Sequence, residues 1–140
     1  MTKDVLITIC GVQTMDEEDN DVEMIVRGDY YQKNGKHYVL YEELIEGFKE
    51  PVKNIIKITS TSMDITKKGT AITHMLFEKN RKNVSCYSTP FGEIVVGIQA
   101  NHFAVDEQAD SLKVNVDYSL DINYEHMSDC RILVDVQSCQ

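Results

Sequence analysis

Leu112-Lys113-Val114-Asn115-Val116-Asp117-Tyr118-Ser119-Leu120-Asp121-Ile122 alternates apolar and polar residues without a break. A strand points successive side chains to opposite faces, so Leu112, Val114, Val116, Tyr118, Leu120 and Ile122 share one surface and the polar residues the other. A helix, with its period near 3.6, would place Asp117 and Asp121 among the valines. Beyond a turn at Asn123-Tyr124 the alternation resumes, with Cys130, Ile132, Val134 and Val136 on one face. Asp129, Arg131 and Asp135 lie opposite, and Leu133 is the one apolar exception. Antiparallel sheets with one wet face read this way, whereas buried parallel strands read as continuous apolar runs. The stretch is therefore one arm of a long antiparallel hairpin, with Val114, Val116, Leu120, Ile132 and Val134 expected in the core.

The rest of the chain reads as shorter strands separated by turn chemistry. Val5–Val12 is followed by an acidic loop, Met15-Asp16-Glu17-Glu18-Asp19-Asn20-Asp21. That loop lacks the Gly and Glu of an EF-hand calcium loop and has strands at its flanks, so it reads as a solvated turn. Val22–Gln32 and Lys36–Leu44 are joined at Asn34-Gly35, a dipeptide that tolerates the positive φ angles of a type I′ hairpin turn. Further strands fall at Val52–Thr59, Met63–Lys67, Thr70–Glu78, Val84–Ser88 and Glu93–Val105, the last bent near Asn101. Glu46-Gly47-Phe48-Lys49-Glu50-Pro51 is a connection, and Thr89-Pro90-Phe91-Gly92 a tight reversal. No amphipathic helix stands out. A meander of this kind implies a single all-β domain over residues 1–140: an antiparallel up-and-down barrel of about 8–10 strands, whose closure removes exposed edges.

The totals narrow the function classes. A chain of 140 residues is one domain by size and can bury about two-thirds of its unfolded surface. The net charge of −9 works against binding nucleic acid or an anionic membrane. The start, Met1 to Ile9, reads as no signal peptide, and no stretch approaches the roughly 20 apolar residues of a membrane span. A cytoplasmic protein is expected. The four cysteines, Cys10, Cys86, Cys130 and Cys139, are scattered without a C-x-x-C pair, which suits reduced thiols better than a zinc site.

Several stretches then occur in a distinctive order: Tyr38-Val39-Leu40-Tyr41-Glu42-Glu43, Asn54-Ile55-Ile56-Lys57-Ile58, Lys67-Lys68-Gly69, His74-Met75-Leu76-Phe77-Glu78 and Tyr87-Ser88-Thr89-Pro90-Phe91-Gly92. With the terminal hairpin they resemble the YwiB-like family of small bacterial proteins, over nearly the whole chain. The resemblance implies a lipocalin-like (calycin-like) barrel and a bacterial, cytosolic setting. It implies no activity, since that family has no established function or catalytic residues to carry over. The chain departs from the family at the final turn, where Asn123-Tyr124 stands in place of Asn-Gly. A Tyr is disfavoured at positive φ, so a longer or strained turn is expected there.

Residues that could carry chemistry are few. Glu42 and Glu43 are adjacent on a strand and point to opposite faces, so they cannot flank one substrate as acid and base. Alternation alone leaves open which of them points inward. An inward carboxylate would need a partner, for which Arg27 is available. His37, His74, His102 and His126 lie on different strands with no metal-ligand spacing, and Cys86 has no basic sequence neighbour to lower its pKa. Lys67-Lys68 and Lys79 to Lys82 flank one strand at opposite ends, nearly 30 Å apart at about 3.3 Å per residue, so they form no single groove. Regularly spaced exposed aromatics for base stacking and a Gly-rich phosphate loop are both missing. No catalytic residue, metal or cofactor is implied, and enzymatic activity is not expected.

Two functions are compatible with this pattern. The first is binding of a small, mainly apolar molecule inside the barrel. Arg27, Tyr38, Glu42, Glu43, Met75, Phe77 and Tyr87 are its candidate ligand-binding residues, and Met24, Tyr30, Met63, Phe91 and Phe103 could also line the cavity. The second is a structural or protein-interaction module with a side-chain-filled barrel, acting as a monomer or homodimer.

Overall fold

The computed structural model describes residues 1–13, 20–44, 47, 49–69 and 72–139. Ten strands follow one another: β1 (Asp4–Gln13), β2 (Asn20–Lys33), β3 (Lys36–Glu43), β4 (Val52–Ile58), β5 (Ser62–Lys68), β6 (Ile72–Glu78), β7 (Lys82–Thr89), β8 (Gly92–Glu107), β9 (Ser111–Ile122) and β10 (Glu125–Ser138). Every pairing is antiparallel, and the sheet order is β6-β5-β4-β3-β2-β1-β10-β9-β8-β7. The first and last strands pair from Val5 opposite Ser138 to Gln13 opposite Cys130, and this closes the meander on itself. The expected acidic turn at 15–21 lies largely outside the described residues.

The ladder is interrupted in one place, between β6 and β7. These strands leave a tight turn in which Arg81 N–H donates to the Glu78 carbonyl. No ladder joins them among the described residues; side chains of β7 span the seam instead. Asn83 Nδ2 donates to the Leu76 carbonyl at 3.3 Å, and the Tyr87 hydroxyl donates to the His74 carbonyl at 2.5 Å. The barrel is thus nearly closed, with edge carbonyls of β6 satisfied by side chains rather than by backbone.

The alternation of the final hairpin carries through. Val114, Val116 and Val134 are fully buried, while Leu120 and Ile132 are partly buried against the same core. Inward rows from the other strands supply Val5, Ile7, Val39, Ile56, Ile58, Met63 and Phe77, and the hairpin adds Leu112 and Val136, all without exposed surface. These side chains pack into one continuous cluster that occupies the barrel interior. Tyr118, below the seam, packs edge-on to Phe77 with ring centroids 4.9 Å apart. Burial first, and then the adjacent Cys130 thiol, push the Tyr118 phenol pKa upward, so the ring sits in the core as a neutral group. Cys86, Cys130 and Cys139 are unbridged.

Special backbone geometry falls where the turn residues allow it. Asn34 and Gly35 take φ of 55° and 74°, the type I′ turn expected from that dipeptide. Asn123 and Tyr124 do the same at 51° and 69°, so the final turn is a two-residue one and Tyr124 stays in the left-handed region. Asn123 is also tied to β8: its N–H donates to the Val95 carbonyl, and its Oδ1 accepts from Val95 N–H at 3.0 Å. The bend near Asn101 is a bulge, where the pairing with β9 slips between Ala100 and His102.

Candidate functional site

Two regions gather polar side chains around a cavity, one at an end of the barrel and one on its outer face. The end region is built on the Asn34-Gly35 hairpin. His37 faces inward and is only 5% exposed, and its Nδ1 lies 2.6 Å from the Tyr30 hydroxyl. Its Nε2 is 3.5 Å from Glu107 Oε2 on β8, across the barrel mouth. Burial and the Glu107 charge raise the Tyr30 phenol pKa, which keeps that group protonated as a hydrogen-bonding partner. Lys36, Thr59, Ser60 and Val105 complete a cavity of about 380 Å³. Its buried polar groups are largely matched to one another: both ring nitrogens of His37 have partners, and Thr59 Oγ1 meets Ser62 Oγ at 2.7 Å.

The outer region is a cleft of about 560 Å³ beside the point where the β2–β3 ladder ends. β2 pairs with β1 as far as Asp29 and with β3 only from Asp29 onward, so the chain changes neighbours at Asp29, next to Gly28. A Cβ at Gly28 would collide with the Leu40 carbonyl oxygen and the Ile7 side chain, so only glycine permits this close approach. The register sets one outward row across the cleft: Asp4 opposite Asp29, Asp29 opposite Leu40, and Leu40 opposite Ile55. Two residues further along the strands, Glu42 stands opposite Lys53, and Lys53 opposite Lys68. Arg27 reaches in from β2. The half-buried Leu40 and Ile55 form an apolar floor between the charged ends. Among the described residues, none of Asp4, Arg27, Asp29, Glu42, Lys53 and Lys68 has an ion-pair partner within 4 Å.

Asn54 and Tyr41 also line the cleft, at its base. Asn54 is 1% exposed; its Nδ2 donates to the Val52 carbonyl at 3.2 Å, while its Oδ1 has no hydrogen-bond partner among the described residues. A buried acceptor left unmatched costs about 1–3 kcal/mol, so this atom is an unmet demand at the cleft base. The Tyr41 phenol is pushed well above its ordinary pKa by burial and then by the Glu43 charge, so it stays neutral.

The structure divides the residues expected to bind a ligand in the interior. Glu43 points inward at the barrel rim, and its partner is Lys67 at 3.2 Å rather than Arg27. Met75 and Phe77 share the inner face of β6, Phe77 fully buried and Met75 packed against the core. Tyr87 is half-buried and committed to the seam. Arg27 and Glu42 lie outside the barrel, where both line the outer cleft. Tyr38 is outside too, stacked on Tyr31 at 4.8 Å between centroids with Lys57 Nζ 6.0 Å from its ring. Phe91 lines nothing inside: it is 100% exposed at the β7–β8 turn. Lys53, Asp4 and Asp29 were not singled out by sequence pattern, and Lys68 stood out only within a basic pair at a strand end. Their only signal as a group was the cross-strand register, which brings like charges opposite one another.

Among the described residues, no group of three or more His, Cys, Asp or Glu could hold a metal ion, and no helix is long and apolar enough to cross a membrane.

The architecture defines a class: an antiparallel ten-stranded, nearly closed β-barrel, with its first and last strands paired. Within that class the chain belongs to the domain-of-unknown-function family DUF1934, whose model matches residues 7–134. It is similar in structure to the ywiB protein from Bacillus subtilis, with a TM-score of 0.80 at 18% sequence identity, over 99% of this chain and 93% of that one. At that identity the likeness shows the fold, and it bears out the YwiB-like resemblance drawn from the ordered sequence stretches. No curated protein matches the chain.

Proposed function

We propose that this protein is a non-catalytic binding module whose ligand site is the outer cleft at Gly28, not the barrel interior. The observation that carries this reading is the 560 Å³ cleft, with six charged side chains that make no ion pair with one another or with the rest of the described chain. A binding site characteristically combines an apolar surface with a few polar groups whose partners come from the ligand. The floor of Leu40 and Ile55, with the unmatched Asn54 Oδ1 at the base, meets that description. The interior is the poorer candidate, because its buried apolar side chains pack against one another as one cluster. The mouth cavity is poorer as well, since its buried polar groups are matched internally.

The test is a fragment screen read by amide chemical shifts. Binding in the cleft moves the amides of Arg27, Leu40, Glu42, Lys53, Ile55 and Lys68, and leaves those of Ile56, Phe77 and Val116 in place. A ligand held at 100 times its dissociation constant adds about 2.7 kcal/mol to stability, which a thermal shift detects. Hits that move the interior amides instead, or a screen with none, overturn the outer-cleft reading.

A second reading, protein interaction, has its own support. Val84 and Phe91 are exposed apolar residues on and beside β7, which borders the seam without a ladder. Concentration-dependent sedimentation of wild type against Phe91→Ser tests it, with self-association lost in the variant.

A further inference from the structure

Like charges standing directly opposite in a ladder repel, and this cleft contains two such pairs of opposite sign. Asp4 and Asp29 face each other on β1 and β2; Lys53 and Lys68 face each other on β4 and β5. Each pair has one opposite charge nearby on the cleft wall, Arg27 on the acidic side and Glu42 opposite Lys53, yet among the described residues no ion pair forms on either side. The chain carries 23 Asp and Glu against 14 Lys and Arg, so acidic partners for the two lysines are not scarce. Elsewhere Lys67, Arg81, Lys82 and Arg131 are each taken by a carboxylate. The cleft is therefore dipolar: an acidic pole, an apolar floor of Leu40 and Ile55, and a basic pole.

We infer that the cleft takes an elongated zwitterion, a molecule with an apolar body, a cationic end seated between Asp4 and Asp29, and an anionic end seated between Lys53 and Lys68. This rests on the outer cleft being the binding site, and it specifies the ligand class for that site. The span follows from the register. The two poles are separated by three strand spacings of about 4.8 Å and by two residues along the strand at about 3.3 Å each, roughly 16 Å in all. An amine and a carboxylate at the two ends of a short extended peptide, or of a straight alkyl chain of comparable length, fit that distance. Each charged end offers what its pole lacks. An ammonium donates to the two carboxylates, and a carboxylate accepts from the two ammonium groups through charge-assisted hydrogen bonds. Between them the alkyl or side-chain body covers Leu40 and Ile55.

The probes are ω-aminododecanoate, which spans the two poles, and ω-aminohexanoate, which is too short to reach both. Dodecanoate and dodecylamine each supply one charged end alone. Binding is followed by amide chemical shifts on the full chain, below the aggregation threshold of each probe. The inference expects ω-aminododecanoate to move amides at both poles and to bind at least tenfold more tightly than each of the other three. It also expects Lys68→Glu and Asp29→Lys each to weaken ω-aminododecanoate at least tenfold. In Lys68→Glu the preference among single-ended probes should turn from dodecanoate toward dodecylamine at β4–β5, a readout that a merely unfolded variant cannot give. If a single-ended probe binds the cleft as tightly as ω-aminododecanoate, the zwitterion inference falls while the outer-cleft reading stands. If the probes move amides only at His37, Glu107 or the interior, both fall together.

Discussion

Placing a methyl group on Gly28 tests the geometry on which the cleft depends. The Cβ of Gly28→Ala would collide with the Leu40 backbone oxygen, sit 2.7 Å from Ile7 Cδ1 and lie 3.2 Å from Tyr41 Cβ. Backbone cannot rotate away, and Ile7 is fully buried, so relief requires β2 to move off β3. Gly28 is not among the positive-φ residues, so the cost reports crowding rather than left-handed strain. Overpacking a well-filled site typically costs about 1–3 kcal/mol, and a collision with backbone belongs in the upper half of that range. With an unfolding entropy of about 2.1 cal/mol/K per residue, 1 kcal/mol corresponds to about 3.4 °C in a chain of this length. Gly28→Ala should therefore lower Tm by about 7–10 °C. Gly11→Ala is the control, because a Cβ there meets nothing within 4 Å among the described residues, and it should be neutral or stabilising by up to about 1 kcal/mol. Thermal and urea unfolding of the two variants decide the matter. If Gly28→Ala loses less than about 0.5 kcal/mol, or matches Gly11→Ala, the close approach that shapes the cleft is refuted.

Three further outcomes are expected. Tyr124→Gly should gain about 1 kcal/mol, because a non-glycine residue in the left-handed region costs about 1–2 kcal/mol and the Tyr124 side chain, 82% exposed, packs little; an unchanged or lower Tm contradicts this. Val116→Asp should cost several kcal/mol, since Val116 is fully buried between Phe103 and Ile132 and a lone carboxylate there has no partner; a native-like melt would reverse the inside–outside assignment. The Asp129 carboxyl is held below its ordinary pKa first by the hydrogen bond from His126 and then by that from Ser119. Its contribution to stability is present above the ordinary carboxylate pKa and is lost as pH falls through the depressed one. Carboxyl carbon NMR titration of His126→Ala should show Asp129 returning toward the ordinary range.

The final hairpin was legible because one face of it is wet and the other buried, so each residue announces its side. The Asn34-Gly35 turn was as informative. A two-residue loop fixes the register, which places Tyr31 opposite Tyr38 and Tyr30 opposite Val39. The stacked Tyr31–Tyr38 pair on the outer face follows from that arithmetic. Arg27 was harder to place. Met24, Ile25 and Val26 are apolar in succession, and Ile25 proves 60% exposed, so alternation gave no side for the residues that follow. Tyr38 to Tyr41 hide the side of Glu42 and Glu43 in the same way. Only pairing resolves it, with Val39, Tyr41 and Glu43 inward and Glu42 outward. The cleft itself depends on which residues of β1, β2, β4 and β5 face one another. Loops of unspecified geometry set those registers, and a one-residue slip would exchange every inward and outward residue.

The charges of the cleft bear differently on stability and on binding, and that difference makes the binding experiments interpretable. Exposed ion pairs contribute about 0–1 kcal/mol, so side chains that make no pair at all contribute still less to holding the barrel together. The directly opposed pairs Asp4–Asp29 and Lys53–Lys68 work slightly against the fold. Reversing one charge in either pair converts a repulsive neighbour into an attractive one, so such variants should fold at least as well as the parent. Any loss of ligand in them is then a loss of complementarity rather than of structure. Positions where a small cost in stability is kept are where binding sites are characteristically found, because the groups there are arranged for a ligand and not for one another. The Glu43–Lys67 pair at the inner rim is the contrast within the same strands: its two charges satisfy each other at 3.2 Å and leave nothing for a ligand to supply.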